Sequence, residues 1–418
     1  MAPPEELFAV LLHKRRIGTI RQRGDYTQFT FIEEYLDDPV RPTLGLRFEE
    51  NLRAPYASAL RLPRWFSNLL PEGPLREWIA ADRGVALDRE MELLAQVGHD
   101  LPGAVRVVSA NESGADDEWE HTPAPEEGAS SAHDGLSPWR FSLAGVALKF
   151  SMLERGDRLT IPAVGEQGDW LVKFPDYKFA DVPRNEFAVM SLAQAVGINT
   201  PEVRMLHRDV LTDVPQRLWP NSEEWAYGIR RFDRAPDQQR TPIHIEDLAQ
   251  VRDKYPQAKY EGSFDTVAAL TYRGHDLEAL QEFARRLAFN VMIGNGDAHL
   301  KNWSLIYADQ RVPTLSPAYD LVSTVQYRDV DDPPEDLGLR LGRSRRFESV
   351  TPDSFRTLES RLDRRFGKTS AELSDIALDI ARQVVELWPT HRELLADNEP
   401  LASGISSWIE ERKSSLGL

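Results

Sequence analysis

Residues 290–307 (NVMIGNGDAHLKNWSLIY) carry the side chains with the clearest potential for chemistry. Within this run, Asp297 precedes Asn302 by five positions. A carboxylate can accept a proton from an attacking hydroxyl, and an amide oxygen nearby can hold Mg²⁺ against the phosphates of a nucleotide. Lys301 can offset the charge of a phosphoryl group in transfer. The run therefore suggests phosphoryl transfer, with Asp297 and Lys301 as catalytic residues and Asn302 as a metal ligand.

The same interval separates the base from the metal-binding asparagine in the catalytic loop of protein kinases, H-R-D-x-x-x-x-N. By itself it is a weak signal, because a polar loop produces it by chance. Asp320, in residues 316–323 (SPAYDLVS), follows Asn302 by 18 positions. Residues 303–307 and 311–315 predict a hairpin that returns Asp320 towards Asn302, where it would be a second Mg²⁺ ligand. The alternative is an aspartate that only caps a turn.

A lysine lies in the apolar run 170–175 (WLVKFP), which predicts a strand. Burying the ammonium of Lys173 is costly unless it has a partner. In kinases a strand lysine contacts the α- and β-phosphates and pairs with a helix glutamate. Glu186, at the start of a helix predicted over residues 183–196, is the candidate partner. The alternative is that Lys173 is an edge or solvent-facing lysine.

Residues 141–152 (FSLAGVALKFSM) contain one glycine, which excludes both the Walker A motif and the kinase G-x-G-x-x-G loop. Backbone N–H groups of Ala144, Gly145 and Val146 can still bind phosphates, with Lys149 adding positive charge. Phosphate loop, lysine, glutamate, base and metal ligands then follow in the order of a protein-kinase-like phosphotransferase.

The elements that must position these residues divide the chain into four parts. We predict an N-terminal α/β subdomain (1–110), an acidic flexible linker (111–137), a β-rich N-lobe with the phosphate loop (138–235) and a helical C-lobe (236–418). Strands are predicted at 26–32, 104–108, 141–152, 169–174 and 225–232, and amphipathic helices at 277–293 and from 373 to 387. The fold class is α+β, a two-lobed kinase-like fold with a cleft between the lobes.

Composition narrows the class of protein further. The chain has 418 residues, no cysteine and a formal charge of −17. The absence of cysteine excludes disulfide scaffolds and thiolate sites, and the negative charge disfavours direct binding of nucleic acid. No apolar run is long enough to span a membrane, so we expect a cytoplasmic protein. His244 and His275 are interpreted as ordinary surface or core histidines, and the basic run 338–347 (GLRLGRSRRF) as a solvated loop or a contact for an acidic partner or DNA.

On further motifs the chain resembles the HipA family of bacterial toxin kinases. Residues 66–73 (FSNLLPEG) and 93–98 (LLAQVG) are similar to the family's N-terminal domain. Residues 141–145 (FSLAG), 230–233 (RRFD), 296–302 (GDAHLKN) and 319–323 (YDLVS) are similar to its kinase core. One departure is the run after Gly145, which lacks the glutamine that the family usually has before the lysine.

The resemblance implies a serine/threonine protein kinase that uses ATP and Mg²⁺. It implies that Asp297 is the base, that Asn302 and Asp320 bind the metal, and that Lys173 is the phosphate lysine. The hinge near adenine would be formed by Arg230, Arg231 and Phe232. We also assign ATP-binding roles to the remaining residues around the motifs: Ala144, Gly145, Val146, Lys149, Glu186, His299 and Tyr319.

The resemblance also implies regulation and partners. Ser142 matches a serine that such kinases autophosphorylate, which switches the enzyme off. The expected partner is a HipB-like helix-turn-helix antitoxin, which would connect the chain to DNA only indirectly, and the expected substrate is an aminoacyl-tRNA synthetase, the glutamyl enzyme first. Two alternatives remain at this stage: a small-molecule phosphotransferase of the aminoglycoside type, and a pseudokinase that binds nucleotide without transferring phosphate.

Overall fold

A computed structural model describes residues 5–110, 149–156, 158–162, 167–212, 214–327 and 336–416. Its first part is a five-stranded antiparallel sheet in the order β4-β3-β2-β1-β5. The strands predicted near residues 26 and 104 are confirmed as β3 and β5. The strands are β1 (Glu5–Leu12), β2 (Arg15–Arg23), β3 (Tyr26–Phe31), β4 (Tyr56–Ala59) and β5 (Val105–Ser109), and the helices are α1 (Glu33–Leu36), α2 (Leu46–Glu49), α3 (Arg64–Ser67), α4 (Gly73–Arg83) and α5 (Glu90–Val97).

A second five-stranded sheet follows, in the order β7-β6-β8-β10-β9, with one long helix against it. Its strands are β6 (Lys149–Arg155), β7 (Arg158–Thr160), β8 (Trp170–Lys173), β9 (Val203–His207) and β10 (Trp225–Arg230), and the helix is α6 (Val182–Ala195). The predicted helix over 183–196 and the strands near 170 and 225 are therefore confirmed. Of the strand predicted over 141–152, residues 141–148 lie outside the described residues.

The rest of the chain is mainly helical, as predicted. It contains α7 (Leu248–Val251), α8 (Phe264–Tyr272), α9 (Leu277–Ile293), α10 (Pro352–Phe366), α11 (Leu373–Arg392) and α12 (Glu399–Leu416). Three short strands form a small sheet, β11 (His244–Asp247), β12 (Ser304–Tyr307) and β13 (Thr314–Leu315), and two more form a hairpin, β14 (Asp336–Leu341) and β15 (Ser344–Arg346). The predicted hairpin before Asp320 is confirmed as β12–β13, although its second strand is only two residues long.

Helix α9 shows how local sequence sets the position of the catalytic run. The side chain of Asp276 accepts a hydrogen bond from the N–H of Ala279 and caps the first turn. The helix ends at Gly294, whose φ of +67° is in the left-handed region, and a Cβ there would come within 2.2 Å of Val325. Chain direction therefore changes at Gly294, and the polar residues that follow leave the helix as a loop.

Two hydrophobic cores hold these elements together. One lies within the helical part and includes Leu287 of α9 and Ala381 of α11. The other joins the two large sheets, because Phe29 of β3 belongs to the same buried cluster as Phe150 of β6 and Trp170 of β8. The predicted boundary at residue 110 thus separates two sheets that share one core. In the described part of the chain, no helix combines the length and apolar character that crossing a bilayer requires.

The basic run 338–347 is not the solvated loop that its composition suggests. The run forms most of the β14–β15 hairpin, in which Leu337, Leu339 and Leu341 are buried. Alternation of arginines with apolar residues is the pattern of a half-buried strand. The composition of this segment is misleading, because its arginines outnumber its apolar residues.

Candidate active site

A cavity of about 400 Å³ lies where the β6–β10 sheet meets the helical part of the chain. Such a volume is within the range of small-molecule and cofactor sites. The N-terminal region also contributes to its wall, through Asn68, Leu69, Glu72 and Pro74. The wall contains all of the predicted site residues that the structure describes: Lys149, Lys173, Glu186, Arg230, Arg231, Phe232, Asp297, His299, Lys301, Asn302, Tyr319 and Asp320.

Lys173 and Glu186 form the predicted ion pair. Lys173 ends β8 and Glu186 lies in the second turn of α6, and the ammonium donates to Oε1 at 2.6 Å and Oε2 at 2.8 Å. Both residues are buried. Burial alone would lower the pKa of Lys173, but Asp320 and Glu186 outweigh it and raise that pKa above its ordinary value. Burial raises the pKa of Glu186 to about 7, although Lys173 opposes the shift.

Asp320 completes this group, because the ammonium of Lys173 also donates to its Oδ1. The backbone of Asp320 has a φ of +56°, in the left-handed region that non-glycine residues rarely adopt. Such a conformation costs about 1–3 kcal/mol and tends to occur at functional sites. Burial would raise the pKa of Asp320, but Lys173 and Lys149 hold it well below its usual range. Asp320 is therefore an ionised carboxylate in the cavity, which favours the metal-ligand interpretation over a turn cap.

The loop after α9 orients Asp297 and Asn302 through its own backbone. The Asn295 side chain accepts from the N–H of Asp297 at 3.0 Å, and Nδ2 of Asn302 donates to the carbonyl of Asp297 at 2.8 Å. The amide nitrogen of Asn302 is thus engaged, which leaves its oxygen as the atom available to a ligand. The side chain of Asp297 is 46% exposed, and the hydroxyl of Tyr260 donates to its Oδ1. The carboxylate of Asp297 is thus partly exposed and already accepts one hydrogen bond from a hydroxyl group.

Lys301 lies in a short 3₁₀ turn, Leu300–Asn302, and its ammonium is bound by the N-terminal region. It donates to the backbone carbonyl of Asn68 at 2.9 Å and to Oδ1 of Asn68 at 3.2 Å. It is also 3.2 Å from Oε1 of Glu72 and 3.6 Å from Oδ2 of Asp247. Lys301 therefore anchors the catalytic loop to residues more than 200 positions away, in addition to facing the cavity.

Glu72 connects a second lysine to the same network. Its Oε2 lies 3.3 Å from Nζ of Lys259, while its Oε1 faces Lys301. Burial would raise the pKa of Glu72, but the two lysines outweigh burial and lower it. The carboxylate is thus ionised and partly neutralises both ammonium groups at the cavity wall.

The remaining predicted residues form the sides of the cavity. The ring of Phe232 lies 5.6 Å from that of Tyr319, and the hydroxyl of Tyr319 donates to the carbonyl of Lys301 at 2.9 Å. Arg230 is partly exposed, and its guanidinium lies 3.7 Å from Glu202. His299 is buried, and burial lowers its pKa to about 4, so the ring is neutral near pH 7.

Arg231, a predicted hinge residue, has its side chain in a buried ion cluster. The guanidinium donates to Asp100 at 2.9 Å, to both carboxylate oxygens of Asp233, and to the hydroxyl of Ser151. Arg234 contacts the same two carboxylates. We call Asp100, Arg231, Asp233 and Arg234 the interface cluster, since it joins the N-terminal region to the second sheet and the segment after it. Arg231 also lines the cavity, so its role in ATP binding stays a prediction.

Lys149 begins β6 directly beside Lys173 of β8. Its side chain is buried, and among the described residues no carboxylate lies within ion-pairing distance. Burial lowers the pKa of Lys149 to about 8. The rest of the predicted phosphate loop, Ala144, Gly145 and Val146, and the predicted autophosphorylation site Ser142 lie outside the described residues.

Sequence reasoning missed the residues that reach the site from distant segments. Asn68 and Glu72 lie in the run FSNLLPEG, which resembles the N-terminal domain of the family and carries no recognised catalytic motif. Tyr260 and Lys259 lie between α7 and α8, where no motif stands out. A polar pair within an otherwise apolar run was the one available signal for Asn68 and Glu72, because such groups are seldom buried without partners.

Comparisons with known proteins find related sequences over nearly the whole chain. Residues 8–108 match the HipA N-terminal domain model, and residues 141–388 match the HipA-like C-terminal domain model. A protein of Sinorhizobium fredii named "Putative kinase Y4dM" is 37% identical over all of this chain and 98% of its own length. The serine/threonine-protein kinase toxin HipA of Shewanella oneidensis is 26% identical over 73% of each chain.

One solved structure has the same overall fold. It is that of the Shewanella oneidensis toxin–antitoxin system HipA, HipB and its operator DNA complex. The superposition has a TM-score of 0.70 at 21% identity and covers 98% of this chain and 96% of that chain. The predicted α+β fold with two kinase-like lobes and an additional N-terminal part is thereby confirmed.

Proposed function

Because this chain belongs to the HipA family of kinases, we propose that it is a protein kinase that transfers the γ-phosphoryl group of Mg-ATP to a serine or threonine hydroxyl. The observation that carries the proposal is the convergence of Lys173, Glu186, Asp320, Asp297 and Asn302 on one cavity. These residue types in this order are what a kinase active site requires.

Each side chain has a defined part in the proposed reaction. Asp297 accepts the proton of the acceptor hydroxyl, and support for this role comes from its exposed carboxylate, which already accepts a hydrogen bond from the Tyr260 hydroxyl. Lys173, held by Glu186, places a fixed positive charge at the phosphates. Lys149 adds a second charge when it is protonated, and Phe232 with Tyr319 provides apolar surface for the adenine ring.

The residues present fit a magnesium ion. The oxygens of Asn302 and Asp320 are hard ligands of the type that Mg²⁺ prefers, and Asp320 is ionised. Mg²⁺ sites in kinases are typically completed by nucleotide phosphates and water, so few protein ligands are needed. When bound, the ion would neutralise charge on the phosphates. Asn302 and Asp320 are the residues that would hold it.

We further propose the regulation and partners that the family implies. Phosphate on Ser142 would place about two negative charges near the nucleotide site and repel ATP. A HipB-like antitoxin is the proposed partner, and an aminoacyl-tRNA synthetase, the glutamyl enzyme first, is the proposed substrate. Support for these three comes from family membership. The small-molecule alternative is disfavoured because the N-terminal region forms part of the cavity wall, which a compact phosphotransferase does not need.

The purified chain, incubated with Mg-ATP and glutamyl-tRNA synthetase, tests the proposal. We expect phosphate on a serine or threonine of the synthetase and on Ser142, both located by phosphopeptide mass spectrometry. Replacing Asp297→Asn should lower the rate about 10²–10⁴-fold, because proton acceptance is lost. Asp353→Asn, at an exposed position of α10, is the matched control and should leave the rate unchanged. Transfer at the wild-type rate by the Asp297→Asn protein would refute the assigned base.

A further inference from the structure

The β14–β15 hairpin lies directly against the catalytic loop. Gly338 of β14 contacts the backbone of Ala298, so closely that a Cβ at residue 338 would come within 2.7 Å of the Ala298 carbonyl carbon. Ala298 is the residue between Asp297 and His299. A glycine in a strand commonly marks such a close approach of two backbones. The hairpin is therefore fixed beside the residue that we propose as the base.

A chain of hydrogen bonds connects the hairpin to that base. The guanidinium of Arg345 donates to the backbone carbonyl of Tyr260, and the hydroxyl of Tyr260 donates to Asp297. Tyr260 is itself partly exposed. Arg345 is thus connected to the carboxylate of Asp297 through one intervening residue, Tyr260.

The hairpin carries four arginines within seven residues. Arg340, Arg343 and Arg346 are exposed and Arg345 is half-buried. Across the described residues none of the four forms an ion pair with a carboxylate. The carboxylate of Asp265, a residue of α8, lies near the turn of the hairpin. It already accepts hydrogen bonds from the N–H of Gly342 and from Arg361. In a chain with a formal charge of −17, this is a local concentration of positive charge on a hairpin that packs against the catalytic loop.

We propose that these four arginines, the arginine hairpin, bind an acidic segment of the protein that presents its hydroxyl to Asp297. The inference rests on the proposed kinase function and deepens it by naming the substrate class: a serine or threonine flanked by aspartate or glutamate. Guanidinium groups bind carboxylates through paired, charge-assisted hydrogen bonds. Opposite charge on the two surfaces also raises the rate of encounter.

An acidic protein segment fits this surface better than nucleic acid does. The affinity of nucleic-acid binding grows with the number of phosphates that cations neutralise, and one short hairpin offers few such contacts. The net negative charge of the whole chain adds repulsion against a long polyanion. A short acidic segment neutralises the hairpin without extending over the acidic surface.

Two synthetic peptides of equal length, each with a central serine, test the proposal. Glutamates flank the serine in one peptide and glutamines in the other. We expect the wild-type protein to have the lower KM for the glutamate peptide. Replacing Arg343→Glu and Arg346→Glu together should raise that KM about tenfold, with kcat and the KM of the glutamine peptide little changed. Arg343→Gln with Arg346→Gln should show a smaller effect in the same direction.

A matched control separates docking from a general charge effect. Arg252→Glu with Arg382→Glu changes the charge by the same amount at two exposed arginines outside the hairpin. An equal rise of KM in this control would overturn the proposal, and so would equal wild-type KM values for the two peptides. Loss of binding to a labelled duplex DNA or RNA on replacing Arg343 and Arg346, with both peptide KM values unchanged, would overturn it in favour of nucleic acid.

Fluorescence anisotropy of the labelled glutamate peptide measures binding without catalysis. It therefore tests docking on the arginine hairpin separately from kinase activity. If the wild-type protein transfers no phosphate to any acceptor, the kinase proposal fails. Peptide binding that depends on Arg343 and Arg346 would still support docking. Absence of such dependence would refute docking, whether or not phosphate is transferred.

Discussion

Two groups of buried charges lie near the second sheet, and they differ in how their members are paired. The pocket group, Lys149, Lys173, Glu186 and Asp320, faces a cavity of about 400 Å³. The interface cluster borders the same cavity only through Arg231 and Asp233, and the side chains of its two arginines are 3% and 2% exposed. Each group contains two basic and two acidic residues, so net charge does not distinguish them.

Pairing and protonation do distinguish them. In the interface cluster each carboxylate contacts both arginines, and Arg231 outweighs burial to keep the pKa of Asp233 below its usual range. In the pocket group, Lys149 has a pKa of about 8 and Glu186 a pKa of about 7. Removing one member of a buried set of paired charges strongly destabilises a fold, because its partners remain buried without compensation. Groups with displaced pKa values around a cavity are typical of active sites.

The largest difference should appear when one carboxylate of the pocket group is neutralised. Asp320→Asn should lower kcat about 10²–10³-fold, because a charge aimed at the reacting phosphates and their metal is lost. The free energy of unfolding should stay near the wild-type value, since Lys173 keeps its pair with Glu186. Steady-state phosphoryl transfer and urea denaturation measure the two quantities. A large loss of stability with unchanged kcat would reverse the roles of the two groups.

For the matched change in the interface cluster we expect the opposite result, a lower free energy of unfolding with kcat little changed. Asp233→Asn leaves two buried guanidinium groups with a single shared carboxylate, Asp100, and should lower the free energy of unfolding by about 3–5 kcal/mol. The kcat of the folded fraction should stay close to that of the wild type. Denaturation midpoints and active-site titration check this result. Wild-type stability would show that the cluster does not hold the N-terminal region in place.

Glu72 allows a test of whether the N-terminal region supports catalysis, because it belongs to that region but contacts Lys301 of the catalytic loop. Glu72→Gln frees Lys301 and Lys259 from their shared carboxylate, and we expect kcat to fall about 10–100-fold through a displaced loop. Glu77→Gln, an exposed glutamate of α4, is the control. The stability of the two variants should be similar. Equal kcat values would mean that the loop keeps its position without the N-terminal carboxylate.

The smallest effect concerns the protonation of Lys149. A lysine loses its proton as pH rises through its pKa, here about 8, so its charge is present below pH 8 and lost above it. The Kd for ATP should therefore rise by up to about tenfold per pH unit above pH 8. Lys149→Met should bind more weakly below pH 8 and lose this dependence, while Lys178→Met, at an exposed position, should keep it. Isothermal titration between pH 6.5 and 9.5 measures the profile, and an identical slope in the Lys149→Met protein would contradict it.

The sequence by itself determined the elements and the order of the chemistry. The apolar stripe of α9, its cap at Asp276 and its end at Gly294 are local signals, so the position of the catalytic loop was predictable. Lys173 and Glu186 were paired correctly because a buried lysine in a strand requires a carboxylate nearby. The hairpin before Asp320 followed from alternation and a short turn.

Only the tertiary structure decided which charges meet across long separations. The contact of Lys301 with Asn68 spans 233 positions, and that of Arg231 with Asp100 spans 131. Neither hydrophobic periodicity nor a turn residue predicts such contacts, because they depend on how two sheets and a helical layer pack together. A motif reveals which chemical groups a chain possesses, but the partner that neutralises each group is set by packing and burial. For this reason Lys301 and Arg231 were recognised as important while their contacts were not.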